Sequence, residues 1–231
     1  MTKKTQKTQY NLVLDIDETL VRTFEEANNI KNLKIFSDPR MMAIRKRLYE
    51  LRLNDQDNKR GSGKDIYITG IARPHYREFL EFANDHFNSI IIWSAGQYPY
   101  VHRIVDYLYR DIDKRPDAVL TREDCKEYLH SNGIVDFTKP ISFISKKHPE
   151  LSHCKEHNTI IIDNTAAAFE TVNPKNGILI PNYAPQEHSD ALVKDSTTEN
   201  AFLLLKDWFK DVLLKKNADV RHLDKEDIFF E

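Results

Sequence analysis

An α/β fold, a doubly wound parallel sheet with a small antiparallel β insertion, is the class that this sequence predicts. Three observations carry it. The runs Leu12-Val13-Leu14, Ile90-Ile91-Ile92 and Thr159–Ile162 are short and nearly all apolar, as strands covered on both faces are. Segments with helical apolar spacing alternate with them. Each run then breaks into polar residues: Asp15, then Ser94 after Trp93, then Asp163-Asn164.

In chain order, Tyr10–Leu14 reads as the first buried strand. Arg40–Leu53 places Met41, Ile44, Leu48 and Leu51 at helical spacing and reads as a helix at its start. Residues 54–64 are polar and contain Gly61-Ser62-Gly63, the composition of a loop and too short for a phosphate cradle. Asp65–Thr69 alternates like an exposed strand. Pro74 marks a helix start, with Tyr76, Phe79, Leu80, Ala83 and Phe87 as its apolar stripe. Ser89–Trp93 is the second buried strand, and Pro99–Tyr109 a helix turning Val101, Ile104, Val105 and Leu108 inward. Ala118–Thr121, Cys125–Leu129 and Ile134–Phe137, with Ser131-Asn132-Gly133 as a turn, predict the antiparallel insertion. Thr159–Ile162 is the third buried strand, Thr165–Val172 a short helix closed before Pro174, Ile178–Ile180 a fourth strand, and Asn200–Leu214 an amphipathic helix. The expected organisation is a flexible basic tail over residues 1–9 and one domain over 10–231, with insertions at about 24–72 and 110–138.

Composition narrows the function. With 34 Lys and Arg against 36 Asp and Glu, the net charge of −2 argues against nucleic acid or an anionic membrane as partner, since both select basic surfaces. Arg45-Lys46-Arg47 reads as a solvated helix face. The two cysteines, Cys125 and Cys154, are too few for a disulfide framework or a CxxC zinc site. They predict an intracellular, reducing compartment, nuclear or cytoplasmic, and not secretion. No secretory signal opens the chain and no apolar run approaches membrane-spanning length.

Asp15 and Asp17 lie one residue apart at the end of a buried strand. Burial and a neighbouring carboxylate both raise a carboxyl pKa, so such a pair persists mainly where a metal or an acid/base task requires it. A polar turn is the alternative for the pair taken alone. Ligands bind beyond the carboxyl ends of parallel strands, and three polar strand ends on one sheet edge assemble one site there. Carboxylate, amide and carbonyl oxygens suit Mg²⁺, and the chemistry that fits is metal-assisted phosphoryl transfer. No GxxxxGK[ST] loop, GxSxG elbow or His/Cys cluster points to Walker-type transfer, a serine hydrolase or zinc.

These residues resemble the DxDx[TV] motif of the haloacid dehalogenase superfamily. The likeness is nearer to its branch of RNA polymerase II C-terminal-domain phosphatases and their nuclear-envelope relatives. That branch has LDxDETL, here Leu14–Leu20, and an RPH element, here Arg73-Pro74-His75. It has W[ST]A with a later aromatic, here Trp93-Ser94-Ala95 and Tyr100. It has a three-stranded insertion with R-E-x-C, here Arg122–Cys125, and a lysine motif, here Thr138-Lys139-Pro140. It ends in D[ND] with NPxNG, here Asp163-Asn164 and Asn173–Gly177. The resemblance spans about residues 10–215 and implies the Rossmann-like sheet of that superfamily.

It also implies roles. Asp15 is the nucleophile that forms an aspartyl phosphate. Asp17 protonates the leaving oxygen and later deprotonates water. Asp15, the backbone carbonyl of Asp17 and Asn164 hold Mg²⁺. Thr19 and Ser94 bind phosphoryl oxygens, Lys139 offsets negative charge, and Asp163 orients Lys139 or a metal-bound water. Lys146 and Lys147 are alternatives to Lys139, and Arg73 has the alternative of bracing its neighbouring helix. The implied activity is a Mg²⁺-dependent phosphatase acting on phosphoserine or phosphothreonine in a protein or peptide, with polymerase-tail phosphopeptides as the reference substrate. A polynucleotide 3′-phosphate or small-metabolite phosphatase, or a binding module without turnover, are the alternatives.

Overall fold

Strands that are apolar at every position need cover on both faces, and the computed structural model supplies it. It describes residues 7–24, 34–54, 63–186, 188–214 and 218–229. Most of the predicted basic tail, parts of the first predicted insertion with Gly61-Ser62, and residues 215–217 and 230–231 lie outside the described residues. The strands are β1 (Asn11–Leu14), β2 (Val21–Phe24), β3 (Leu48–Asn54), β4 (Asp65–Ala72), β5 (Ser89–Trp93), β6 (Ala118–Leu120), β7 (Lys126–Leu129), β8 (Val135–Thr138), β9 (Thr159–Asp163) and β10 (Gly177–Leu179). The α-helices are α1 (Met42–Arg47), α2 (Tyr76–His86), α3 (Tyr98–Leu108), α4 (Ile141–Lys147), α5 (Ser189–Thr198) and α6 (Ala201–Leu213).

The main sheet has the order β10-β9-β1-β5-β6, and every pairing in it is parallel. Side chains alternate faces along each strand. Leu12, Leu14, Ile90, Ile92, Ile160 and Ile162 pack on one face with α2, α3 and α6. Val13, Ile91, Trp93 and Ile161 pack on the other against Ile141 and Ile144 of α4. On the first face Phe79 stacks on Phe202 at 4.7 Å and Phe87 meets Phe209 edge-on at 4.9 Å. Each such buried side chain contributes about 1.5–3 kcal/mol. The register pairs Leu14 with both Ile92 and Ile162, so Asp15, Trp93 and Asp163 form the next row. The doubly wound parallel sheet is therefore as predicted, with Asp15 and Asp163 flush at its carboxyl edge and Ser94 one residue beyond their row.

Several local readings need correction. Arg40–Leu53 is helical at its start, as predicted, but its apolar positions Leu48 and Leu51 belong to a strand. A 3₁₀ turn at Pro39–Met41 leads into α1, and Leu48 leaves helical geometry at φ −70°, ψ 140°. From there β3 pairs antiparallel with β4 from Leu48↔Ile71 to Asn54↔Asp65, and β2 pairs with the other edge of β4. Seven residues of ladder outweigh a helical apolar spacing. Ala118–Thr121 does not belong to the insertion. Its first three residues are β6, the edge strand of the main sheet, with Ala118 paired to Ile91. The antiparallel insertion there is the two-stranded hairpin β7–β8. Thr165–Val172 is a 3₁₀ turn at Ala166–Ala168 followed by turns, not a helix. The predicted strand Asp65–Thr69 runs on to Ala72, and the elements β2, α4 and α5 were without a sequence signal of their own.

One glycine is dictated by packing. A Cβ at Gly177 would lie 2.1 Å from the Phe169 ring, so no larger residue fits beside it. Among the described residues no helix is long and apolar enough to cross a membrane.

Candidate active site

A lysine brought to the flush row organises the site. Lys139 follows β8, and its backbone N–H donates to Ala168 O at 2.7 Å. Its Nζ donates to Asp15 Oδ1 and to Asp163 Oδ2, both at 2.6 Å, with the side chain 3% exposed. Lys146 instead lies over the Phe143 ring, and Lys147 pairs with Asp124 at 3.1 Å. The Asp163 carboxylate is fixed in turn by the Thr165 N–H at 2.8 Å.

Two carboxylates and one ammonium leave a buried excess of negative charge. Burial, then the charge of Asp163, pushes Asp15 up to about 7 against the pull of Lys139. Burial alone would lower the pKa of Lys139, but Asp15 and Asp163 outweigh it and hold the ammonium above its ordinary value.

Asp17 sits beside this group in a different environment. The Tyr100 hydroxyl donates to its Oδ1, and Ser94 Oγ donates to its Oδ2 at 3.1 Å. Thr23 Oγ1 stands 3.0 Å from the Tyr100 hydroxyl and 2.7 Å from that of Tyr49, so β2 and β3 back the tyrosine. Burial raises the Asp17 pKa, and the Tyr100 and Ser94 hydrogen bonds oppose the rise.

Thr19 is fully buried and pairs with the third strand end. The Asn164 N–H donates to Thr19 Oγ1 at 3.2 Å, and that hydroxyl lies 3.4 Å from Asn164 Oδ1. The Asn164 amide nitrogen faces Glu18 and Asn182 at 3.4 and 3.3 Å. Asp15, Asp17, Lys139, Asp163 and Asn164 line one open cavity of about 410 Å³. Thr19 and Ser94 stand behind it, with their hydroxyls engaged by Asn164 and Asp17. Arg73 is a brace. It is fully buried, pairs with Glu199 at 3.0 Å, lies over the Tyr183 and Phe202 rings, and has a 3.4 Å contact from Nη1 to Thr19 O.

Residues 10–212 match the family described as NLI interacting factor-like phosphatase. The chain belongs to that family. Two solved structures share its fold. One is fission yeast RNA polymerase II CTD phosphatase Fcp1, an Arg→Ala variant bound to beryllium fluoride, at a TM-score of 0.65. The other is Fcp1 described as an essential RNA polymerase II CTD phosphatase, at 0.67. Each is 13% identical to this chain, and each match covers 92% of this chain and 68% of the other. No curated protein matches the sequence. The NLI interacting factor-like match and the shared fold make this a phosphatase domain of the haloacid dehalogenase type.

The donor chemistry of this NLI interacting factor-like site suits a hard divalent cation. Among the described residues no three His, Cys, Asp or Glu side chains form a metal-holding group. Asp15 and Asn164 line the cavity and offer a carboxylate and an amide oxygen, hard donors of the kind such a cation takes.

Two residues at the site carried motifs but no assigned role. Arg122 lines the cavity mouth, where its Nε donates to Ala95 O at 2.6 Å and its guanidinium lies 5.1 Å from the Phe137 ring centroid. Asn173 clamps the lysine segment: its Nδ2 donates to Lys139 O at 2.8 Å and its Oδ1 accepts the Ile141 N–H at 3.2 Å. Both bonds are buried, so Asn173→Ala leaves two unsatisfied backbone groups and costs roughly 1–3 kcal/mol, as urea unfolding would measure. An unchanged midpoint would disprove the clamp.

Proposed function

We propose that this domain is a Mg²⁺-dependent phosphoprotein Ser/Thr phosphatase that works through an aspartyl phosphate on Asp15. The observation that carries the reading is Asp15 lining an open cavity with one carboxylate oxygen held by Lys139, which Asp163 holds in turn. A carboxylate oxygen of Asp15 attacks phosphorus, and the bond to the seryl or threonyl oxygen breaks. Asp17, whose raised pKa favours the protonated form, gives that oxygen its proton. Asp17 then takes a proton from water as the water attacks the phosphoryl group, which frees Asp15 and inorganic phosphate. Lys139 stays charged throughout and offsets the anionic charge near it. Asp15, the Asp17 backbone carbonyl and Asn164 would hold magnesium, which would further neutralise nucleophile and phosphate. Arg122 at the mouth meets the phosphate or the chain that carries it. The two free cysteines support a reducing compartment, nuclear or cytoplasmic.

Borohydride quenching during turnover of a phosphopeptide reduces an aspartyl phosphate to homoserine. Peptide mass analysis should find that change at position 15, and its absence under steady turnover would sink the covalent route. Polynucleotide 3′-phosphates and sugar phosphates assayed alongside test the substrate class. Beryllium fluoride, carried by the Fcp1 variant structure, should inhibit when magnesium is present.

The tyrosine predicts a pH effect. Tyr100 lowers an Asp17 pKa that burial has raised, so Tyr100→Phe lets it rise further. The reaction needs protonated Asp17, and the alkaline limb of kcat should move to higher pH. A limb that moves to lower pH, or stays put, would contradict Asp17 as the acid.

A further inference from the structure

The hairpin β7–β8 carries an apolar face that the chemistry above does not use. Directly opposed residues of an antiparallel pair share a face, as do alternate residues of one strand. Leu129 opposes Val135, and Glu127 opposes Phe137, so these four share one face, with Leu129, Val135 and Phe137 as its apolar members and Glu127 at its edge. Leu129 is 69% exposed and Val135 42% exposed. β8 continues the active-site cavity: Val135, Asp136 and Phe137 are among its lining residues, Val135 and Phe137 from this face, and the Phe137 ring lies against Arg122. The opposite face is more polar, with Asp136 opposing Tyr128 and paired to His130 at 2.5 Å, and Thr138 buried.

We propose that this face is the recognition wall for the chain flanking the phosphorylated residue, and that it selects an extended peptide with apolar side chains at alternate positions. The proposal rests on the phosphoprotein reading of the site. β8 runs straight into Lys139, and a strand rises about 3.4 Å per residue. Phe137 and Val135 thus lie roughly 7 and 14 Å up the strand from the lysine. An extended peptide beside it covers those spans in about two and about four residues. The occupant is therefore a phosphopeptide with large aliphatic side chains two and four positions from the phosphorylated residue, on one side of it. Alternate spacing is what a pleated wall reads, because the residues between point away.

The test pairs two phosphopeptides, one with Leu at both positions and one with Ser at both, with the Leu pair placed on either side of the phosphoserine. p-Nitrophenyl phosphate, which has no flanking chain, is the control. The intact protein should prefer one Leu peptide by about five- to tenfold in kcat/KM. Leu129→Ser with Val135→Ser should erase that preference, read as the ratio of Leu-peptide to Ser-peptide kcat/KM so that any common change at the centre cancels; both side chains are exposed, so the fold tolerates the change. Equal turnover of all peptides by the intact protein, or a preference that survives the double substitution, overturns the wall. Absence of p-nitrophenyl phosphate turnover would count against the phosphatase reading instead. In that event, fluorescence anisotropy of the same labelled phosphopeptides on the Asp15→Asn protein still scores the wall. Concentration-dependent dimerisation abolished by the double substitution would assign the face to a second copy of this chain and overturn the proposal.

Discussion

Asp15→Asn should lower turnover by at least about 10⁴-fold and make the protein more stable at neutral pH. The first effect follows from replacing the carboxylate proposed as nucleophile by an amide of the same shape. The second follows from the charge balance of the site. Asp15 has an ordinary pKa of 3.8 and is pushed up to about 7 in the fold, by burial before the charge of Asp163. A carboxyl with a raised folded pKa binds its proton more tightly folded than unfolded. Stability therefore falls as pH rises from about 4 to about 7, and stays lowered above that. Three pKa steps at 1.36 kcal/mol set a ceiling of about 4 kcal/mol on the ionisation penalty. The asparagine carries none of it, and its Oδ1 still accepts from Lys139. A gain of roughly 1–2 kcal/mol, or about 2–8 °C in melting temperature, is expected. Melts with a chelator present should show the difference small at pH 4 and complete by pH 8. A variant less stable than the parent at pH 8 would refute the charge argument, and retained turnover the chemical one.

Lys139→Met should be the most destabilising single change at the site. It keeps the apolar stem and removes the one ammonium shared by Asp15 and Asp163. Removing one partner from a buried ionic group costs about 3–5 kcal/mol, because the charges left behind lose their compensation. The folded pKa of Lys139 stands above its ordinary 10.5. Its stabilising contribution is thus complete below that value and disappears only as pH rises through the higher folded one. Even so, the loss should grow as pH rises through about 7, where Asp15 ionises and most needs the ammonium, and stay large up to pH 9. Adding Asp163→Asn should recover part of it, since one of the two stranded carboxylates is gone. A double-mutant cycle by urea unfolding should give a coupling of at least about 1 kcal/mol. Strict additivity would show that Lys139 and Asp163 do not act as a pair.

What could be read in the chain depended on how local its cause was. Leu12–Leu14, Ile90–Ile92 and Ile160–Ile162 were legible because a strand buried on both faces has no polar position to confuse the pattern. The polar residues ending them were legible for the same reason, and the sheet brings Asp15, Ser94, Asp163 and Asn164 to one edge. β3 was hidden because its ladder partner β4 begins eleven residues after it ends, while Met41 and Ile44 just before it fit a helix. β6 was hidden because Ala118–Leu120 is a strand only through pairing with β5, about 27 residues earlier. Asn173 could be quoted as part of a motif, yet its role lies in two bonds to a segment 34 residues away. No neighbouring residue announces such a bond.

Gly177 shows how far from the chemistry a damaging change can sit. It touches no reacting group, yet its missing side chain leaves room for the Phe169 ring. Phe169 follows Ala168, whose carbonyl holds the Lys139 backbone, and its own carbonyl accepts the Asn173 N–H at 2.7 Å. One methyl group at Gly177 would thus act as a lever whose far arm is an ammonium group. In a screen for inactive variants, this position belongs with the acids and the lysine, although an inventory of cavity-lining residues passes over it.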